Sequence, residues 1–497
     1  MTVSTQDPIN PVTTHKWWIL VAVGVVLFLG SVDGSIVNVA LPTLMDDFHA
    51  DFPTVQWVVL AYLLGLTVLL VSMGRLADMM GKKRVFSAGI VLFLLGSALC
   101  GIAQGVYWLI GFRFLQSIGA AMMLALGIAI LTETWPSHER GKAIGLAAGF
   151  ISMGIVIGPA IGGVMLQYLS WHWIFFVNVP IGAAAFALVV LFVPPLRPKG
   201  GRETFDLGGA AALSIGLFCA TLAITLGQGI GFLTLPVVGL LASAILALLL
   251  FVWLETHVRY PMLDLALFGE VQFSLNLFTS VLVFVAISGV VLLLPFYLQL
   301  VLHEPLQTVG LLMAVVPLIM AFVQPASGML SDRLGTRKVS LVGLCIIFAG
   351  YVLMTTLRVD GTPLGYVLRM LPVATGMAIF NSPNNSAIMG SAPQNRLGVA
   401  SAVLSMVRTL GQVIGIAVLG AFFYSRLAVH AGGAVGLDVA QPEAIVAALH
   451  DQFWLVVMLI AFGIATSLWA WRWEVQHGLT GKVEVVETAP AALPVEL

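Results

Sequence analysis

The chain has 497 residues, of which 60% are hydrophobic and 9% charged, and 22 Lys and Arg against 23 Asp and Glu leave a net charge of −1. A soluble domain carries about 25% charged residues, so this chain has too little polar surface to coat a water-soluble core. The balanced charge also excludes a polybasic, nucleic-acid-binding surface. The composition is that of an all-α polytopic membrane protein.

A polar start of 16 residues leads into the first apolar run with neither a basic start nor a small-residue cleavage site, so that run is expected to stay as a span. A bilayer core needs about 20 apolar residues per helix. Such runs occur at 17–42, 54–77, 85–104, 106–132, 141–166 and 172–193, and then at 208–226 and 235–254. Six more follow at 272–300, 308–330, 339–357, 363–389, 399–425 and 452–473. That gives fourteen predicted transmembrane helices. Most basic residues flank one side of these runs, only Arg358 and Arg426 flank the other, and Arg113, Arg369 and Arg408 fall inside spans. The positive-inside rule then puts both termini in the cytoplasm, which an even number of spans permits. Segment 426–451 becomes the longest outer loop, and its QPEAIVAALH portion is expected to form a short helix over the cavity mouth. The three cysteines have no ligand or disulfide spacing and are expected to serve as small packing residues.

Gly74–Arg84 (GRLADMMGKKR) recurs at Gly328–Lys338 (GMLSDRLGTRK), with Gly74, Asp78 and Gly81 matching Gly328, Asp332 and Gly335 at an offset of 254. Arg113 and Arg369 lie two spans further on. A parallel repeat about an axis along the membrane normal accounts for this. The resulting units are a cytoplasmic N-terminus (1–16) and a six-helix bundle (17–193), then a linker with two inserted helices (194–271). A second six-helix bundle (272–473) and a cytoplasmic tail (474–497) complete the chain.

Five stretches in this order resemble the major facilitator superfamily, and within it the fourteen-span drug:proton antiporters. They are VDGSIVNVALP (32–42), QWVVLAY with GRLADMMGKKR (56–84), RFLQSIGAAMM (113–123), GIVIGPAIGG (154–163) and WHWIFFVNVPIG (171–182). The resemblance implies two six-helix bundles that rock about a central cavity, with protons as the coupling ion and no other cofactor. One departure is Ser117 after Gln116, where the family usually has glycine.

The residues themselves give each motif a physical reading. Asp33 lies ~14 Å from the outer end of span one and Arg113 ~10 Å from that of span four. An isolated charge at such depth is expensive, so the two are expected to pair or to face a wet cavity. Bringing them together or apart would change the proton affinity of the carboxylate. The family role in proton transfer maps onto Arg113, with Gln116 one turn away. Gly74, Asp78, Gly81, Arg84, Arg140, Asp332 and Gly335 are read as a cytoplasmic latch, in which Gly81 permits a tight turn and Gly74 a close helix approach. Gly154, Gly158, Pro159, Gly162 and Gly163 match the antiporter signature, and their proline and glycines suit a pliable, closely packed seam. Asn38, Gln56, Gln324, Asn381, Asn384 and Gln412 are the candidate cavity residues, because lipid exposure would cost them most. Glu133 reads as an interfacial carboxylate, and Arg369 and Arg408 either bond to carbonyls or line the cavity.

The expected activity is proton-coupled export of lipophilic neutral or monocationic compounds from a bacterial-type cytoplasmic membrane. The rival is export of one lipid, siderophore or metabolite by the same machinery. An intramembrane enzyme or sensor is disfavoured. His138-Glu139 and His303-Glu304 begin a zinc-protease motif, but Lys142 and Gln307 stand where the second histidine belongs, and no GxSxG occurs. No metal site is expected. The working unit is expected to be a monomer in the lipid bilayer, to which an accessory periplasmic subunit could attach, with a small lipophilic substrate and no nucleic-acid partner.

Overall fold

The computed structural model describes residues 15–136, 139–196, 206–258, 268–391, 397–433, 436–437 and 439–476. The termini, most of the linker at 197–205 and His138 lie outside them, as do the side chains of Arg75 and Asp78. All regular elements among the described residues are helical. Fourteen of these helices are long and apolar enough to cross a membrane.

The first bundle comprises α1 (Lys16–Asp47), α2 (Trp57–Met80), α3 (Lys82–Gly101), α4 (Val106–Thr134), α5 (Arg140–Tyr168) and α6 (Asn178–Phe192). The inserted pair is α7 (Leu207–Ile230) and α8 (Leu235–His257). The second bundle begins with α9 (Val271–Phe296), α10 (Leu306–Leu334) and α11 (Thr336–Met354). It continues with α12 (Pro363–Ser391), α13 (Leu397–Ile414, extending through a π-helical turn at Gly415–Leu419 to His430) and α14 (Pro442–Gln476). The inserted pair packs on itself and against α2 and α13, where Trp57 and Phe218 meet with ring centres 5.9 Å apart.

Most predicted spans agree with these helices to within a few residues. Two expectations change. QPEAIVAALH does not form a separate helix over the cavity mouth: from Pro442 onward it is the start of α14, because its apolar residues Ala444, Ile445, Val446, Ala448 and Leu449 are buried in the bundle. α3 starts at Lys82, directly after Gly81, whose φ of +95° makes the hairpin turn in one residue. Gly335 makes the same turn in the repeat at φ +90°.

The two bundles are sealed together at the end opposite these hairpins. Gly163 of α5 lies against Gly310 of α10, so a Cβ on Gly163 would fall 2.4 Å from the Leu306 carbonyl oxygen. Phe52, just before α2, packs edge-on to Phe296 at 5.4 Å and parallel to Tyr424 at 6.5 Å. Toward the hairpin end the packing opens: a Cβ on Gly141, Gly145 or Gly149 of α5 would meet nothing within 4 Å. The bundle is therefore closed at one end and splayed at the other.

Candidate transport site

Asp33 and Arg113 meet in the interior of the first bundle, each about 1% exposed or less. Arg113 Nη1 donates to Asp33 Oδ2 at 2.7 Å and to Gln116 Oε1 at 2.7 Å, and Nε donates to the Val58 carbonyl at 3.2 Å. Arg113 and Gln116 stand three residues apart on α4, which places them on one face of the helix. The other carboxylate oxygen, Oδ1, accepts from Gln116 Nε2 at 2.8 Å and from Asn178 Nδ2 at 2.9 Å. Ser97 Oγ accepts from both amides, at 2.6 and 3.2 Å. The guanidinium carbon sits 4.1 Å from the centre of the Tyr62 ring. Helices α1, α2, α3, α4 and α6 therefore converge on one carboxylate.

Three charge-assisted or amide donors meet the Asp33 carboxyl group. Removing either member of the pair would leave the other buried without its partner, so the contact ties α1 to α4.

The central cavity lies beside this cluster, between the bundles, with a volume of about 340 Å³. Its wall is mainly apolar, with Phe284, Met313, Met320 and Met377 from the second bundle. Tyr62 is the shared element: its ring lies under Arg113 on one side, and the residue also lines the cavity. Its hydroxyl is buried without a hydrogen-bond partner. Of the six cavity residues expected from sequence, Asn38 and Gln412 line this space. The other four do not. Gln56 is packed at the sealed end, its Oε1 2.7 Å from where a Gly420 Cβ would stand. Gln324 is half-buried on α10 outside the cavity wall. Asn381 is buried inside the second bundle, and Asn384 donates to Ser280 Oγ at 3.0 Å there. A polar side chain can escape lipid within a bundle as well as in a cavity, which is why these four were misplaced.

The hairpin residues are distributed differently from the expected latch. The Asp78 side chain lies outside the described residues. Gly74 has no close neighbour, since a Cβ there would meet nothing within 4 Å, so the close approach expected of it is absent in this conformation. Arg84, Arg140 and Asp332 are exposed. Ion pairs at this end include Lys82 with Glu133 at 2.6 Å and Lys16 with Glu139 at 2.5 Å, both within the first bundle. Glu133 is exposed at the end of α4, as expected of an interfacial carboxylate, and also pairs with Lys82. In the antiporter signature, Gly154, Gly158 and Gly162 lie against α1 at Phe28, Ser35 and Ile36, and Gly163 against the second bundle. The motif therefore sits on the seam, with Pro159 in the cavity wall.

The repeat shows that the second bundle lacks this chemistry. At the offset that pairs Arg113 with Arg369, Asp33 is matched by Gly289, whose carbonyl accepts from Gln452 Nε2 at 3.2 Å. Arg369 donates to Thr356 Oγ1 and the Gly365 carbonyl, both at 2.9 Å. Asn178, Ser97 and Tyr62 were not singled out from sequence. Asn178 and Tyr62 fall inside two of the motif stretches, which was the available signal; Ser97 carried none.

The family model described as Major Facilitator Superfamily matches residues 23–416. A curated relative, the riboflavin transporter RibZ of Clostridioides difficile (strain 630), is 30% identical over 92% of this chain and 98% of its own. The multidrug resistance protein Stp of Mycobacterium tuberculosis (strain CDC 1551 / Oshkosh) is 30% identical over 96% of this chain and 95% of its own. In fold, the chain resembles the crystal structure of a bacterial homologue of the human lysosomal transporter Spinster, described as inward-facing and unoccupied. The TM-score is 0.68 at 16% identity, covering 93% of this chain and 98% of that one.

Proposed function

The chain belongs to the Major Facilitator Superfamily, and from that premise we propose that it is a proton-coupled antiporter that exports small lipophilic compounds by alternating access. The observation that carries this reading is the buried Asp33–Arg113 pair, 2.7 Å apart and separated from the central cavity by Tyr62. A carboxylate whose proton occupancy depends on helix separation, placed next to a substrate-sized cavity, links proton binding to cavity opening.

In the cycle proposed here, the splayed hairpin end faces the cytoplasm and the sealed end the outside of a bacterial-type cytoplasmic membrane. The basic residues beside Gly81 and Gly335 support that orientation, with both termini cytoplasmic. Substrate enters the cavity while Asp33 is ionised. Closure at the hairpin end and opening at Gly163–Gly310 release it outside. Protonation of Asp33 from that side, followed by its release inside, completes the cycle. One charge crossing 100 mV is worth ~2.3 kcal/mol, enough for roughly a 50-fold gradient of a neutral solute per proton. With a single acid in the cluster, one proton per cycle is the natural stoichiometry.

The apolar, methionine-bearing wall supports lipophilic cargo of varied shape. Neutral cargo fits it, but the monocationic cargo expected from sequence finds no acidic side chain among the described residues of the wall. Export of one specific metabolite remains the second reading, favoured by the similarity to a riboflavin transporter over nearly the whole chain. The test is reconstitution of the purified protein in liposomes with an imposed pH gradient. Addition of substrate should move protons, and proton movement that does not respond to any member of a drug and flavin panel would sink the reading.

A further inference from the structure

The central cavity offers few polar groups. Asn38 on α1, Ser288 on α9 and Gln412 on α13 line it, and none of the three has a hydrogen-bond partner among the described residues. One helical turn from Gln412, toward the splayed end, stands Arg408. Its guanidinium carbon lies 5.7 Å from the centre of the Phe284 ring, and Phe284 is part of the cavity wall. Its Nε is buried with no partner, and the guanidinium makes no hydrogen bond or ion pair among the described residues.

The other two in-span arginines are neutralised or satisfied: Arg113 by Asp33, Arg369 by Thr356 and a carbonyl. Arg408 is neither. Packing does not explain it, since a leucine or methionine would stack on Phe284 without the penalty of a charge in a span. Among the described residues, the cavity wall contains no acidic side chain that could serve as its counter-charge. A cation packed on Phe284, just outside a cavity whose described lining is mainly apolar and free of acidic side chains, is complementary to an anion that carries its own apolar body.

We infer that Arg408 holds the anionic head of the substrate, and that the exporter's cargo is a lipophilic aromatic anion such as a carboxylate, sulfonate or phenolate. This rests on the exporter reading and narrows its substrate class. The aromatic body lies against Phe284 and the methionines, the head meets the planar guanidinium fork, and Gln412 donates beside it. Arg408 is therefore a substrate-binding residue of the second bundle, separate from the proton pair of the first.

The test uses three dansyl probes of similar body and different charge, titrated against the purified full-length protein in detergent. They are dansylglycine (a carboxylate), dansylglycinamide (neutral) and dansylcadaverine (a cation). The wild type should bind the carboxylate about tenfold more tightly than the amide. Arg408→Gln should bring the two to parity while leaving amide affinity unchanged, and Arg408→Lys should keep part of the preference. A purely structural arginine would lower affinity for all three together. Equal wild-type affinities, a preference for the cation, or an unchanged ratio in Arg408→Gln would each overturn the assignment. Should Arg408→Gln not purify as a monodisperse protein, the wild-type ratio and Arg408→Lys still decide. Stoichiometric displacement of dansylglycine by phosphatidylglycerol would assign the site to lipid phosphate and also overturn it. The same probes in proteoliposomes separate the two claims. A preserved binding ratio without proton-linked flux would refute the exporter reading alone, and proton-linked flux without a binding preference would refute the anion site alone.

Discussion

Replacing Asp33 with asparagine removes the negative charge and almost nothing else, so its consequences follow from the contacts. The amide oxygen can still accept from Gln116 Nε2 and Asn178 Nδ2 at the positions now 2.8 and 2.9 Å away. The amide nitrogen then faces Arg113 Nη1 at the site of the present 2.7 Å ion pair, donor against donor. Arg113, 1% exposed, is left a buried cation with Gln116 Oε1, the Val58 carbonyl and the Tyr62 face as its remaining partners. Breaking one partner of such a pair costs about 3–5 kcal/mol. Asp33→Asn should therefore show a lowered apparent Tm in detergent and no flux in response to an imposed pH gradient. The double variant Asp33→Asn/Arg113→Gln removes the orphaned cation and should recover most of the thermal stability, giving a strongly non-additive cycle. It should not recover coupling, because no titratable group has been returned to the cluster. Substrate binding, measured by dansyl fluorescence, is the control for a folded protein. Undiminished pH-driven export by Asp33→Asn, or its return in the double variant, would refute the assignment of Asp33 as the proton carrier.

Three further outcomes follow from the geometry. Gly163→Val should abolish transport while leaving membrane expression intact, because its Cβ would lie 2.4 Å from the Leu306 carbonyl and 2.9 Å from the Gly310 Cα; spin labels at Tyr168 and His303, across that seam, should move apart, and an unchanged distance would count against the sealed end as a gate. Gly239→Val on α8, where a Cβ meets nothing within 4 Å, is the matched control and should transport normally. Tyr62→Phe keeps the ring under Arg113 and should retain coupled transport, whereas Tyr62→Ala should bind substrate yet export it without stoichiometric proton movement; equal coupling ratios in the two would remove Tyr62 from the link. In a cysteine-free background, an impermeant maleimide should label Val439→Cys on intact cells, but Ser4→Cys and Glu496→Cys only after permeabilisation, and the reverse pattern would invert the proposed orientation.

How much of this was legible in the sequence depended on which forces act along the chain and which across it. Span number and approximate position follow from local hydropathy, so fourteen helices could be read directly. Asp33 and Arg113 were legible because charge is scarce here, and because the helical rise put both at similar depth. Gln116 followed from its spacing to Arg113. Asn178 and Ser97 were not legible, since contact with Asp33 depends on how α3 and α6 rotate about their axes, and the packing of several helices sets that rotation. The same limit misplaced Gln56, Gln324, Asn381 and Asn384, for which hydropathy could specify avoidance of lipid but not the direction of escape. Gly74 shows a different limit: whether its small size is used depends on conformation, and here that end is splayed.

The repeat makes the remaining asymmetry informative. Both bundles have the positive-φ hairpin glycine, at Gly81 and Gly335, and both have an arginine two spans later, so the two halves share a plan. Among the described residues, only the first half pairs its repeat arginine with an acid; in the second, Gly289 occupies the place of Asp33 and Gln452 bonds its carbonyl. A second acid would have given the cavity two titrating walls and a charge balance that shifts with every proton. The second bundle instead carries Arg408, a cation packed on the cavity residue Phe284 from α13, whereas Arg113 is buried behind Tyr62. On the proposals above, the proton is then handled in one half and the substrate's charge in the other. The two halves meet where Tyr62 and Phe284 wall the same cavity. Coupling between proton and cargo therefore does not require them to compete for one carboxylate. It requires only that closing the seam around an anion at Arg408 displaces α2 enough, through Tyr62, to alter the fit of Arg113 on Asp33.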